Sequence, residues 1–321
     1  MQSIEKIQYR YSSGELDADV MKYLIYLDKI GPLDYTAHKP RELRTIIDDF
    51  TLSYRRSKQA DSVQRIQDAT IDEIPVRYYV PHGSSPFPLL IYFHGGGWVF
   101  GSITSYDHLC QNIANRAQCM VCSVDYHLAP EHTFPTQVFD ALRVISWLFE
   151  HADTLQVDPA RVSVGGDSAG GNLAASVAGY LQNDSSCPLH AQVLFYPLLD
   201  ASSQDTSSYQ RYGEGYGLLK NDLHWFIQQY VPEGKDRRNP LVSPLLAKHY
   251  SGVPQSLIVT AEFDPLRDEA ELYADRLVQA GVHTTCIRYN GLIHGFLLSD
   301  GVFSKVDSII TELCGILQSL L

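Results

Sequence analysis

The stretch Arg161-Val-Ser-Val-Gly-Gly-Asp-Ser168-Ala-Gly170-Gly-Asn-Leu-Ala-Ala-Ser-Val-Ala178 decides the fold. Its first four residues read as a short buried strand. Its last seven read as a helix of small and apolar residues. Between them stands Gly166-Asp167-Ser168-Ala169-Gly170, a G-x-S-x-G. A strand, a sharp glycine-flanked turn and a helix in direct succession present the serine hydroxyl at the end of a sheet, the arrangement of a nucleophile elbow. Glycines two residues to either side let the chain turn without Cβ clashes. The helix N-terminus aims free N–H groups and the positive end of its dipole at the same point. The competing reading is a glycine-rich turn with an ordinary serine cap.

Outward from that stretch, strands and helices alternate. An antiparallel pair, Val63–Ile71 and Ile74–Val80, is expected first. Short strands follow at Leu89–Phe93, Met120–Val124, Arg161–Val164, Gln192–Tyr196, Ser256–Thr260 and Thr285–Tyr289. Helical patterns lie between them at Tyr106–Ala117, Val138–His151, Ala169–Leu181, Glu269–Ala280 and Val302–Leu320. This alternation predicts an α/β fold with a mostly parallel central sheet and helices on both faces. Two regions break the pattern. Residues 1–60 look helical and supply no strand. A Ser-, Tyr- and Gly-rich insertion at about 200–250 carries one helix pattern, Asn221–Val231. Insertions after strands of open α/β sheets sit at the ligand-binding edge. Both regions are therefore expected to form a helical cap over a catalytic domain spanning 61–321.

Three further post-strand loops carry chemistry. His94-Gly95-Gly96-Gly97-Trp98 follows Leu89–Phe93 and exposes backbone N–H groups of the kind that stabilise an oxyanion. No G-K-[ST] occurs here, which argues against a phosphate cradle. His94 is expected to orient this loop. Asp264 lies in the loop after Ser256–Thr260. It stands before Pro265, so an N-cap role competes with a catalytic one, and Glu262 and Asp268 are rival acids. His294 sits in a glycine-flanked loop after Thr285–Tyr289. The order Ser, Asp, His is that of the α/β-hydrolases.

Together, His94-Gly-Gly-Gly-Trp98, Asp125-Tyr-His-Leu-Ala-Pro-Glu-His132, Gly166–Asn172, Glu262-Phe-Asp-Pro-Leu-Arg-Asp268 and His294-Gly-Phe296 resemble the hormone-sensitive-lipase-like esterases, with the bacterial acetyl esterase group as the nearest match. The resemblance runs from about Val63 to Leu321. It implies the α/β-hydrolase fold, and Ser168, Asp264 and His294 as a catalytic triad. It also implies an oxyanion hole made by the N–H groups of Gly95, Gly96 and Ala169, with His94 and Gly97 as parts of the same loop motif. Family members have an N-terminal cap and hydrolyse short-chain acyl esters. A supporting turn is implied for Asp125–His132, whose spacing fits no usual zinc pattern. Trp98 and Phe100 are candidates to shorten the acyl pocket, with Tyr209, Tyr212 and Tyr216 walling its mouth. An amidase or deacetylase would use the same triad. A non-catalytic receptor of the same fold is predicted to lack a triad member, and all three are present.

The remaining composition narrows the partners. The chain has 321 residues, 45% hydrophobic and 19% charged, with a formal net charge of −12. That charge speaks against a nucleic-acid partner and against anionic membranes. No basic start followed by an apolar run marks a secretory signal, and no apolar stretch approaches the ~18 residues of a membrane helix. A cytoplasmic location, no cofactor, no metal and a small-molecule ester as the partner are the resulting expectations, and monomer and homodimer remain equally open. Six cysteines are sparse over the chain. Cys119 and Cys122 form a C-x-x-C, but on a strand residues three apart face opposite sides. No redox pair or disulfide framework is expected.

Overall fold

Apolar runs with a period of two build the centre of the molecule. In the computed structural model, which describes residues 7–31, 33, 35, 39–55 and 59–321, these runs form one nine-stranded sheet. The strands are β1 (Gln8–Arg10), β2 (Arg65–Ile71), β3 (Ile74–Val80), β4 (Phe87–Phe93), β5 (Met120–Val124), β6 (Val157–Asp167), β7 (Ala191–Phe195), β8 (Gln255–Phe263) and β9 (Thr284–Ile293). Their order is β1-β9-β8-β7-β6-β4-β5-β3-β2. β2 pairs antiparallel with β3, and β3 with β5. All other pairs are parallel.

Side-chain alternation divides the core into two layers. Leu89, Ile91 and Phe93 of β4 enter one apolar cluster, and Leu90 and Tyr92 enter the other. The helices sort in the same way. α3 (Ile103–Ala117) and α10 (Val306–Leu320) bury Leu109, Ile113, Ile309 and Leu313 on one face. α4 (Thr136–Glu150), α6 (Ala169–Tyr180) and α9 (Arg267–Gln279) bury Val138, Leu173 and Tyr273 on the other. Cys119 and Cys122 fall in different layers, as strand geometry requires, and all six cysteines are buried with none in a disulfide.

The first 60 residues depart from expectation. α1 (Ala18–Ile30) and α2 (Pro40–Arg55) are helical as read, but Gln8–Arg10 adds a parallel strand to the edge of β9. Three residues are too few to show a period. Pairing comes instead from the open backbone edge of β9, and Arg10 is fixed by an ion pair to Glu312 at 2.6 Å. The insertion also holds more than one helix: α7 (Ser207–Tyr212) and a 3₁₀ turn at Pro244–Leu246 accompany α8 (Lys220–Tyr230). A short α5 (Ala152–Leu155) precedes β6. Among the described residues no helix is long and apolar enough to cross a membrane.

Candidate active site

β6 runs directly into α6 with Ser168 at the corner. Its backbone is held at φ 54°, ψ −117°, a conformation L-residues rarely adopt. Ser168 N–H donates to the Phe195 carbonyl at 2.9 Å, and its own carbonyl accepts from Asn172 N–H at 3.0 Å. The corner needs its glycines because β4 passes so close. A Cβ on Gly170 would lie 1.9 Å from the Phe93 carbonyl oxygen, and one on Gly166 would lie 2.3 Å from the same atom.

The loops after β8 and β9 bring the other two groups to this corner. His294 Nε2 lies 2.9 Å from Ser168 Oγ, and His294 Nδ1 lies 2.8 Å from Asp264 Oδ2. A proton on Nδ1 is donated to the carboxylate, which leaves Nε2 as the acceptor facing the hydroxyl. Asp264 is fully buried, and its other oxygen accepts from Leu266 N–H at 2.8 Å. That bond closes a turn two residues before α9, whose N-cap position is held by Leu266 with no side-chain cap, so the expected N-cap role of Asp264 is not met. The rival acids are engaged elsewhere. Glu262 accepts from Gly14 N–H at 2.7 Å and Gly291 N–H at 2.9 Å. Asp268 pairs with Arg267 and accepts from Ser208 N–H.

One expected oxyanion donor is displaced. Gly95 N–H is taken by Tyr106 Oη and Asp167 Oδ1, each at 3.0 Å. It points into the protein and is withdrawn from the pocket. Gly96 and Gly97 N–H have no acceptor among the described residues, and Ala169, the first residue of α6, has no intrahelical one. The free amides at this corner are therefore those of Gly96, Gly97 and Ala169. The sequence could not assign them, because three successive glycines offer nothing to tell an inward amide from an outward one.

The residue that draws Gly95 inward, Asp167, was missed in the sequence, where it stood only as the variable position of the motif. Its carboxylate also accepts from Tyr92 Oη at 3.0 Å and Tyr106 Oη at 2.9 Å. Burial pushes this carboxyl above its ordinary range, while the two phenols pull it back. Burial also drives both phenols well above theirs, so they remain donors. An acid beside the elbow serine was the available signal. Its partners lie on β4 and α3 at no recognisable spacing.

His94 is buried with Nδ1 2.8 Å from the Gly95 carbonyl and its ring stacked on Tyr126, centroids 4.4 Å apart. Tyr126 Oη donates to the His94 carbonyl at 2.7 Å, and Ala129 N–H to the Trp98 carbonyl at 2.9 Å. The Asp125–His132 segment thus lies against the glycine loop. Trp98 itself has φ 61°, a left-handed backbone that costs a non-glycine residue about 1–3 kcal/mol. Its indole stacks on Tyr230, centroids 4.3 Å apart.

A cavity of about 1220 Å³ opens over Ser168 and His294. Its floor includes Gly96, Gly97, Ala169 and Trp98. Its walls come from α1, α2 and residues 215–226, through Leu24, Ile47, Phe50, Tyr216 and Phe226 among others. Phe100 and Tyr216 line it. Tyr209 and Tyr212 do not. α7 turns toward α9, with Ser208 Oγ donating to the Pro265 carbonyl, so Tyr209 is buried. Tyr212 packs edge-on against Phe263 and beneath Arg267. Among the described residues no group of three or more His, Cys, Asp or Glu side chains is placed to hold a metal ion.

Comparison with known proteins places this architecture. A family model described as the alpha/beta hydrolase fold matches residues 90–298, and the chain belongs to that family, in its hormone-sensitive-lipase-like esterase branch. It is 37% identical over 305 residues to a Saccharolobus solfataricus protein named arylesterase, covering 93% of this chain and 97% of that one. It is 40% identical over 259 residues to an ethyl acetate hydrolase of Pseudomonas putida, covering 78% and 81% respectively. The solved structure of a hyperthermophilic esterase from Pyrobaculum calidifontis superposes with a TM-score of 0.88 at 34% identity, over 96% of this chain and 99% of that one.

Proposed function

We propose that the chain is a serine carboxylesterase acting on short-chain acyl esters, acetyl to butyryl in size, through Ser168, His294 and Asp264. The observation that carries this reading is the unbroken path of 2.8 Å and 2.9 Å contacts from a buried carboxylate through an imidazole to a hydroxyl beside free amides. Ser168 Oγ attacks the ester carbonyl as His294 Nε2 takes its proton. Asp264 holds the imidazole in its tautomer and stabilises the imidazolium. The N–H groups of Gly96, Gly97 and Ala169 receive the oxyanion. The alcohol leaves with the proton from His294, and water hydrolyses the acyl-enzyme by the same route.

In this reading α1, α2 and the 200–250 insertion are the cap. Trp98 and Phe100 limit the acyl side. The size of the cavity favours a larger apolar or aryl alcohol on the other side, in keeping with the name of the arylesterase relative, while the name of the ethyl acetate hydrolase agrees with the short acyl side. A panel of p-nitrophenyl esters tests the chain-length preference. kcat/KM is expected to be highest from acetate to butyrate, and a maximum at long chains overturns that preference. Phenylmethylsulfonyl fluoride is expected to stop turnover and to label Ser168 in a peptide map. Labelling elsewhere with full loss of activity sinks the assignment of the nucleophile.

A further inference from the structure

α2 reaches past the cavity wall and grips the turn that follows the glycine loop. Arg44 Nε donates to the Val99 carbonyl at 2.8 Å, and Arg44 Nη2 to the Ala129 carbonyl at 2.9 Å. The same guanidinium makes a fork-like pair with Glu131, at 3.0 Å from Nη1 and 2.5 Å from Nη2. Ala129 N–H in turn holds the Trp98 carbonyl, and the Gly96 carbonyl accepts from Val99 and Phe100 N–H at 3.1 Å and 2.8 Å. A closed ring results: Arg44, Val99, Trp98, Ala129 and back to Arg44. One helical turn further on, the Asp48 carboxyl faces the hydroxyls of Ser105 and Ser102, which cap α3.

We infer that Arg44 is a positioning residue for the oxyanion donors, and that α2 sets the turnover rate as well as covering the cavity. The inference rests on the proposed role of Gly96 and Gly97. The physical reason lies in the turn itself. Trp98 is held left-handed next to two glycines that are themselves at positive φ, Gly96 at 108° and Gly97 at 63°. No side chain of the glycines resists rotation of their peptides. The Gly97 N–H shares its peptide with the Gly96 carbonyl, which is held by Val99 and Phe100 N–H. The carbonyls of those two donor peptides, Trp98 and Val99, are anchored by Ala129 N–H and by Arg44. The Gly96 N–H shares its peptide with the Gly95 carbonyl, held by His94. Charge-assisted bonds to carbonyls are stronger than neutral ones, and the planar fork of arginine meets three acceptors that a lysine ammonium meets singly. The Glu131 pair is half exposed on the acid's side, so it contributes little by itself and acts to aim the guanidinium.

The test compares Arg44→Met, Arg44→Lys and Glu131→Gln with wild type and with Ser168→Ala, on p-nitrophenyl acetate and with an aryl trifluoromethyl ketone as a tetrahedral mimic. Active enzyme is counted by organophosphate titration, and folding is checked by thermal melting. Arg44→Met is expected to lower kcat about 10- to 100-fold, to change KM less than about threefold and to weaken the ketone by the same factor as kcat. Arg44→Lys, which keeps the charge and the apolar stem, falls between, and Glu131→Gln stays within about threefold. If both Arg44 variants keep kcat and ketone affinity within about twofold, or lose only melting temperature or only KM, the inference is overturned. Esterase turnover retained by Ser168→Ala overturns the proposed mechanism instead. An inert Ser168→Ala beside wild-type-like Arg44 variants sinks the Arg44 inference alone.

Discussion

The loops at the ends of β4, β6, β8 and β9 and the helices α1 and α2 face one another across a single cavity, and they are built in opposite ways. On the sheet side the two buried acids are fully committed while three amides stay open. Asp264 and Asp167 are buried with all their oxygens bonded, and Ala169 is 1% exposed. On the side of α1 and α2 the lining is mostly apolar and open, with Ile25 at 52%, Ile30 at 54% and Ile46 at 40% exposure. The first side can tolerate almost no change in geometry, since a reacting group misplaced by ~1 Å can cost ~10²-fold in rate. The second selects by burial of apolar area, which is non-directional and forgiving. In the proposed mechanism the sheet side carries the reacting groups, with Arg44 of α2 holding one of its loops, and the rest of the helical wall acts on preference.

The strongest blow to that contrast falls on Ser168. Ser168→Ala is expected to reduce kcat about 10⁶-fold, by analogy with other triad hydrolases, while KM changes little. Steady-state kinetics on p-nitrophenyl butyrate measure it, and a loss under about tenfold breaks the sheet half of the comparison. Gly170→Ala comes next. Its Cβ would drive into the Phe93 carbonyl at 1.9 Å, and either β4 or the elbow must move. A stability loss of about 3 kcal/mol or more in urea titration is expected, with activity falling too. An unperturbed midpoint shows that the close approach is not needed.

On the side of α1 and α2 the expected effects are smaller and of another kind. Ile25→Asn or Ile46→Asn removes apolar wall without touching the sheet. KM for an apolar aryl ester is expected to rise about 3- to 10-fold, in line with ~1 kcal/mol of lost burial, while kcat and melting temperature hold. A fall in kcat instead means that these helices reach the chemistry by more than Arg44. The smallest effect belongs to the tie between the segment before β2 and the helices α3 and α10. Arg116 Nε bonds Asp61 at 2.5 Å and its Nη2 bonds Asp307 at 2.9 Å. The Arg116 hydrogen bond holds the Asp61 carboxyl below its ordinary range. Its contribution is therefore present above the ordinary carboxylate range and is lost as pH falls through the folded value. Asp61→Asn is expected to cost under about 1 kcal/mol near neutral pH after solvent screening, and nothing in strong acid. Melting curves that differ equally at both pH values contradict this linkage.

Much of the sheet side was readable along the chain. β3 and β5 lie at their expected residues, and most other elements within a few residues, because a buried strand imprints its period of two and a helix its period of 3.6 on local sequence. The elbow was legible for the same local reason: glycine, serine and glycine sit within five residues. β1 was not, since its partner β9 lies some 280 residues away and three residues carry no period.

By itself, then, the sequence determined the order of strands and helices, the turn at Ser168 and the short set of acids and histidines able to serve it. Those are consequences of backbone sterics and side-chain chemistry that act within a few residues. Only the folded chain brought Asp264, and not Glu262 or Asp268, onto His294, turned the Gly95 amide inward onto Asp167, sent Tyr209 and Tyr212 away from the cavity and put Arg44 on the Val99 carbonyl. Each of these depends on which groups from remote strands and helices share one buried space, where a polar atom must find a partner. That competition is settled in three dimensions and leaves no mark on the spacing of residues along the chain.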